Sequence, residues 1–284
     1  RHAFISSLLG IPHLVVAVNK MDLVEYDEEV FDTIARQFAD FAQGLGGVRD
    51  IAYIPISAKL GDNVVERSEN MPWYGGTPLL EHLETIEVAD ARDLDEARFP
   101  VQWVIRDHDS DYRGYAGQLA GGVLREGDEV LVLPSGQTTW IARIDTYDGP
   151  LAEAVAGMSV TLLLADDIDV SRGDIICHAP SAPRLSRELE ATVCWMADTP
   201  LRAGARYAIK HATHGARAIV EQVVDRIDVH TLSADASTAE LGLNDIGRVR
   251  LRTSKPMAFD SYARNRATGS SSSTRRRTTR SVPA

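Results

Sequence analysis

Cysteine is nearly absent: Cys177 and Cys194 are the two in 284 residues. That is too few for a disulfide framework and suits a reducing cytoplasm, which is the expected location. No apolar run approaches the ~18–20 residues of a membrane-spanning helix, so an integral helical membrane protein is excluded. Basic residues are in deficit, 30 Lys and Arg against 41 Asp and Glu, for a net charge of −11. Four of those arginines, Arg275, Arg276, Arg277 and Arg280, lie in the last fifteen residues beside no acid, so the rest of the chain carries −15. Phosphate contacts dominate non-specific nucleic-acid affinity, and a body this acidic supplies few of them. No nucleic-acid partner is therefore expected, although a shaped nucleotide pocket remains open. Hydrophobic residues at 44% and charged residues at 25% are ordinary globular values. The length predicts two domains, or three small ones.

The chain opens on Arg1. His2–Ile11 is too short and mixed for a signal peptide. It reads as mid-helix running straight into a buried strand, which predicts a fragment that has lost its N-terminus. Ala3–Leu9 reads as a helix closed by Gly10 and Pro12. Leu14–Val18 is a continuous apolar run, the pattern of a parallel strand buried on both faces. Asp27–Phe41 reads as a helix whose Phe31, Ile34, Phe38 and Phe41 form one stripe, with Gly44, Gly46 and Gly47 ending it. A second strand, Ile51–Ile56, and a helix from about Leu79 to Glu87 complete an α/β pattern with a parallel sheet.

Acidic residues 88–97 read as a linker. From Phe99 onward short strands alternate with Gly, Pro and Asp turns, among them Phe99–Ile105, Gly121–Leu124, Glu129–Leu133 and Thr138–Thr146. Such spacing predicts a small all-β barrel or sandwich. Pro180–Pro183 is a second break, followed by strands that include Ala216–Ile227 and Gly247–Arg252. The fold class is thus α/β plus all-β, with domains at 1–88, 98–181 and 185–269. The serine- and arginine-rich tail 270–284 has the composition of a disordered segment.

The chemistry concentrates at Asn19-Lys20-Met21-Asp22, where the strand Leu14–Val18 ends. Ligands of open α/β sheets sit beyond the carboxyl ends of the strands. A fixed Asp22 carboxylate can accept from the ring N–H and the exocyclic amine of guanine. Adenine offers no such pair and would leave a charge unpaired at a cost of about 1–3 kcal/mol. Asn19 can offer its amide to the purine edge, and the Lys20 stem can lie over the flat base. A plain polar turn after a strand would look similar, but the second strand also ends in Ser57-Ala58-Lys59. There the N–H groups of Ala58 and Lys59 could donate to the keto oxygen that guanine has and adenine lacks. The competing reading of Ser57 is a helix N-cap.

Asn-Lys-Met-Asp followed by Ser-Ala-Lys resembles the guanine-reading motifs of translation-factor-type GTPases. The stretch GDNVVERSENMPWYGGTPLLEHLE (Gly61–Glu84) narrows the likeness to two branches. One is the archaeal and eukaryotic elongation factor that carries aminoacyl-tRNA. The other is the large, GTP-hydrolysing subunit of bacterial sulfate adenylyltransferase. FPVQWVIR (Phe99–Arg106), DYRGYAGQLAGGV (Asp111–Val123), DDIDVSRGDII (Asp166–Ile176) and LNDIGRVRLRTSKPMAFDSYARNRATG (Leu243–Gly269) are similar to the second. The resemblance runs from Arg1 to Gly269. It implies the C-terminal part of a P-loop GTPase domain followed by two small β-barrels, with GTP as ligand and Mg2+ in the intact protein. It also implies a small catalytic subunit as partner, making adenosine 5′-phosphosulfate and diphosphate from ATP and sulfate. Asn19, Lys20, Met21, Asp22, Ser57, Ala58 and Lys59 would read guanine. The alternatives are an elongation-factor-like GTPase that binds aminoacyl-tRNA, and an inert fragment. Some family members continue into an adenylyl-sulfate kinase domain.

Nowhere among the 284 residues is there a Gly-x-x-x-x-Gly-Lys-Ser/Thr loop. The backbone nest and metal that support phosphoryl transfer are expected to be missing, so the bare chain should neither hydrolyse GTP nor bind it usefully. No catalytic or metal-ligating residue is assigned. After Gly269 the family continues into an apolar strand. Read one base out of frame, codons for that strand give the Ser-Ser-Ser-Ser-Thr-Arg found at 270–275. The tail is accordingly expected to be a frameshift product and the last barrel to lack its closing strand. His211 and His214 should point to opposite faces of a strand. Cys177 and Cys194 read as buried small hydrophobes rather than ligands. Asp107, Asp109 and Asp111 read as a solvated turn rather than a calcium loop. Trp73 and Tyr74 read as packing beneath the base-binding face.

Overall fold

The computed structural model describes residues 2–46, 48, 50–86, 96–107 and 112–261. The chain divides into two compact units, one of residues 1–90 with 229–232, the other of residues 91–228 with 233–284.

In the first unit, α1 (His2–Leu8) ends at Gly10, whose φ of 74° suits glycine. Strand β1 (His13–Val18) pairs in parallel with β2 (Asp50–Pro55), Val18 standing opposite Pro55. The expectation of burial on both faces fails for β1: most of its residues are half-buried and Ala17 is exposed, because β2 is its one sheet neighbour among the described residues. A 3-10 turn, Met21–Val24, leads to α2 (Glu28–Ala42). Asp27 caps α2, its Oδ1 accepting from the N–H groups of Glu29 and Val30 at 2.7 and 3.3 Å. The buried stripe of α2 differs from the expected one. Phe31 and Ala42 are buried, Ala35 and Phe38 half-buried, and Ile34 is exposed on the flank. Helix α3 (Leu79–Thr85) follows; Gly47 and Glu87 lie outside the described residues. Val18, Met21, Phe31 and Met71 form the core, with Trp73 and Tyr74 against it and the rings of Phe31 and Trp73 5.5 Å apart.

The second unit begins with β3 (Phe99–Arg106), β4 (Arg113–Gln118), β5 (Val123–Arg125), β6 (Glu129–Leu133) and β7 (Gln137–Thr146). It continues through β8 (Gly149–Leu151), β9 (Glu153–Val155), β10 (Ser159–Leu164) and β11 (Ile175–Cys177). The order β10-β4-β3-β11-β6-β7 closes on itself through the β10–β7 pairing, giving a six-stranded barrel. Phe99, Tyr115, Leu124, Ile144, Leu162 and Ile176 fill it. The linker expected over 88–97 lies largely outside the described residues. At its end Glu96 and Ala97 are buried, because the Arg98 N–H bonds the Gly121 carbonyl and draws the segment onto the barrel.

The rest of the unit holds β12 (Arg184–Cys194), β13 (Leu201–Arg202), β14 (Arg206–His211), β15 (His214–Ile227), β16 (Ala234–Asp235), β17 (Glu240–Leu241) and β18 (Ile246–Phe259). The sheet order is β12-β18-β15-β14, with β16 on β15, around a core of its own. Between Arg248 and Thr253 strand β18 alternates: Val249, Leu251 and Thr253 are buried, whereas Arg248, Arg250 and Arg252 face outward. Each outward arginine meets acids on neighbouring strands, Glu190 and Asp225, Glu190, and Glu188 and Glu221 in turn. His211 and His214 correct the expectation for them. The strand ends between them, a turn at Ala212 (φ 47°) reverses the chain, and the two become direct cross-strand partners on one face. The tail 270–284, Asp109 and Asp111 lie outside the described residues.

Candidate functional site

Parallel pairing of β1 with β2 sets their carboxyl ends side by side. Their ladder continues past the strands, Ile56 N–H bonding Val18 O at 2.9 Å and Met21 N–H bonding Ile56 O at 3.2 Å. Asn19-Lys20-Met21-Asp22 and Ser57-Ala58-Lys59 are thereby brought together, 35 residues apart along the chain from Asp22 to Ser57.

Four contacts define the geometry. The Ser57 hydroxyl donates to Asp22 Oδ1 at 2.8 Å. Asn19 Oδ1 accepts from Ala58 N–H at 3.0 Å and from Lys20 N–H at 2.7 Å. Ser57 Oγ also accepts from Leu60 N–H at 3.3 Å. No helix directly follows Ser57, so it caps a turn rather than a helix, and the same oxygen orients the Asp22 carboxylate. The Ala58 N–H expected to face a ligand is spent on Asn19, which leaves Lys59 N–H as the unbonded donor of the pair among the described residues. Met21 is buried at 1% exposure and forms the floor, while Asn19, Lys20, Ala58 and Lys59 are exposed.

Backbone strain gathers here. Among the described residues seven non-glycine residues have positive φ, and four of them lie in or beside these loops: Lys20, Glu25, Tyr26 and Asn63. Such conformations cost about 1–3 kcal/mol each and persist where the surroundings over-determine them. The over-determination comes from the segment after the second loop, which sequence reasoning used only as a family mark. Asp62 accepts from the hydroxyls of Tyr26 at 3.0 Å and Ser68 at 2.6 Å and from Asn70 Nδ2 at 3.1 Å. The Ser68 bond first, then those from Asn70 and Tyr26, outweigh desolvation and hold the Asp62 carboxyl below the usual range. Burial, then the Asp62 carboxylate, pushes the Tyr26 hydroxyl up. Asn63, 1% exposed, donates to Pro55 O at 3.0 Å and accepts from Ser68 N–H at 2.8 Å, tying the end of β2 down. Trp73 Nε1 donates to Tyr26 O at 3.0 Å, so Trp73 and Tyr74 do pack behind the loops. The signal that could have found Asp62 and Asn63 was the run of polar groups directly after Gly61.

The remaining candidates stand apart. Cys177 is buried as expected, donates weakly to Leu131 O at 3.7 Å, and has its thiol pushed up to about 11 by burial; Cys194 corrects the expectation of burial, being exposed on the outward side of the alternating strand β12. Among the described residues no three His, Cys, Asp or Glu side chains gather as a metal site, and no helix is long and apolar enough to cross a membrane.

Residues 188–279 match the family described as GTP-eEF1A C-terminal domain-like. The chain is 52% identical over 274 residues to the "Bifunctional enzyme CysN/CysC" of Mycobacterium tuberculosis, covering 95% of this chain and 44% of that protein. It is 45% identical over 270 residues to sulfate adenylyltransferase subunit 1 of Aliarcobacter butzleri, covering 95% of this chain and 57% of that protein. It thus spans about half the length of these curated relatives. Sup35 complexed with GMPPNP superposes with a TM-score of 0.57 at 23% identity, over 94% of this chain and 67% of that one. The chain belongs to the family of sulfate adenylyltransferase subunit 1, built on the fold of the translation-factor-type GTPases.

Proposed function

We propose that this chain is part of the GTP-binding, GTP-hydrolysing subunit of a sulfate adenylyltransferase. In that role it supports formation of adenosine 5′-phosphosulfate and diphosphate from ATP and sulfate in the cytoplasm. The observation that carries the reading is the bond between Ser57 and Asp22, which holds one carboxylate oxygen of a half-buried side chain and leaves the other without a hydrogen-bond partner among the described residues. A carboxylate so held matches the adjacent N–H and amine of guanine, and Lys59 N–H matches its keto oxygen. Asn19 spends its side-chain oxygen on joining the two loops, Lys20 offers its stem to the base, and Met21 supports the floor. The residues present fit the base of GTP. Phosphate and Mg2+ contacts are not assigned to residues of this chain. Residues 1–88 are the base-reading part, and 98–181 and 185–269 the two β domains. The partner is a small catalytic subunit that handles ATP and sulfate, in keeping with the "subunit 1" in the relatives' names.

The test is co-expression of the gene in its full genomic context with the small subunit. The expected result is a co-purifying complex whose adenosine 5′-phosphosulfate output rises with GTP. Output indifferent to GTP, with retention of charged tRNA on a filter instead, would replace this reading by that of a translation factor.

A further inference from the structure

We propose that Asp62 is the positioning residue of the base-reading pocket, setting the carboxylate of Asp22 through Ser57 and Tyr26 and so setting selectivity for the 2-amino group of guanine. This rests on the guanine reading above. Asp62 lies outside both loops, yet it is bonded to Ser57 of the second and, through Tyr26, linked to Met21 of the first. Its backbone carbonyl accepts from Ser57 N–H at 3.1 Å, and the two residues form an isolated antiparallel bridge. Its side-chain Oδ2 accepts from the Tyr26 hydroxyl at 3.0 Å. Tyr26 N–H in turn bonds Met21 O at 2.9 Å, next to Asp22. Asp22, Ser57, Asp62, Tyr26 and Met21 therefore close a ring of contacts, with the left-handed backbone of Tyr26 in it and that of Lys20 and Glu25 next to its members in the chain.

The choice of aspartate follows from the donor count. Three donors converge on this side chain, from Tyr26, Ser68 and Asn70. A carboxylate accepts all three; an amide of the same shape puts an NH2 against at least one of them. The consequence is specific to the base. A guanine and a hypoxanthine differ by the 2-amino group, whose partner is Asp22. If Asp22 is held, losing that amino group leaves a carboxylate oxygen unpaired. If Asp22 can swing, it turns to water and the difference between the bases shrinks. A residue that merely stabilised the fold would weaken both bases alike.

The experiment titrates the 284-residue chain with guanosine and with inosine at millimolar concentrations, following amide chemical shifts. The wild type should favour guanosine by about tenfold, the worth of one charge-assisted hydrogen bond. In Asp62→Asn the ratio should fall at least about threefold towards unity, and Tyr26→Phe should move it the same way. An unchanged ratio in both variants overturns the proposal while leaving the base reading intact. A wild type without preference overturns the base reading and this proposal with it. If Asp62→Asn does not fold, Tyr26→Phe decides alone, because it removes one hydroxyl from a half-buried ring.

Discussion

Arg98 and Asp260 stand 162 residues apart and form a two-pronged ion pair, Nε donating to Oδ2 at 2.8 Å and Nη2 to Oδ1 at 2.9 Å. The Arg98 side chain is 1% exposed and also meets Glu96 at 2.8 Å and the Ala97 carbonyl at 2.9 Å. Burial works against its charge, and the Asp260 and Glu96 carboxylates more than offset this, holding the guanidinium above its ordinary value. The pair joins the first residues of the six-stranded barrel to the end of β18. Beside it Leu133, Ile175 and Cys177 pack with Ala258.

Removing the cation alone takes their Arg98 partner from two buried carboxylates. Arg98→Met is therefore expected to lose about 3–5 kcal/mol in urea unfolding, and Arg98→Met with Asp260→Leu to regain a large part of that. Equal losses in the single and double variants would show that the pair is not the source.

Gly122 has a φ of 69°, and a Cβ there would lie 2.2 Å from Ala97 N and 2.4 Å from Ala97 Cα. Backbone cannot yield as a side-chain tip can. Gly122→Ala should cost at least about 1–3 kcal/mol in thermal unfolding, whereas Gly127→Ala, with open space around it, should cost only its backbone strain.

Asp22→Asn exchanges one acceptor for a donor at the base edge. Preference should pass from guanine to xanthine, which carries a carbonyl where guanine carries the amine, as measured by competition between the two nucleosides. Retained guanine preference would detach Asp22 from the base.

At pH 8 one equivalent of iodoacetamide should react, at the exposed Cys194. Cys177, its thiol pushed up to about 11 by burial, holds almost no thiolate there and should label only on unfolding. Mass spectrometry of the tryptic peptides checks this.

Asp62 and Asp225 sit below the ordinary carboxylate range, through the Ser68 hydroxyl and the Arg248 guanidinium respectively. A depressed folded pKa stabilises above the unfolded value of about 3.9 and is lost as pH falls through the folded one. Acid titration should therefore leave their contribution intact near pH 5 and remove it below about pH 4. Asp225→Asn should flatten that limb of the stability curve. Asp174 acts in the opposite sense: burial raises its pKa, so it favours the folded state more at the acid end of its range.

Much of the local structure was legible because it depends on near neighbours in the chain. Val249, Leu251 and Thr253 alternate with three arginines, so the Gly247–Arg252 part of β18 could be read from the sequence, although the strand runs on to Phe259. Asp27 caps α2, and Glu129–Leu133 forms the strand its composition implies. The two loops with chemistry were visible as residue types at the ends of two apolar runs. The side-chain period could not say how many strands would flank β1, which flank of α2 Ile34 would occupy, or that a turn would part His211 from His214. Nor could it say that Asn19 would consume the Ala58 N–H, that Asp62 would hold Tyr26, or that Arg98 would find Asp260. Each of these joins groups far apart in sequence. Its partner is chosen by the path of the folded chain, and its strength comes from burial that exists only after folding.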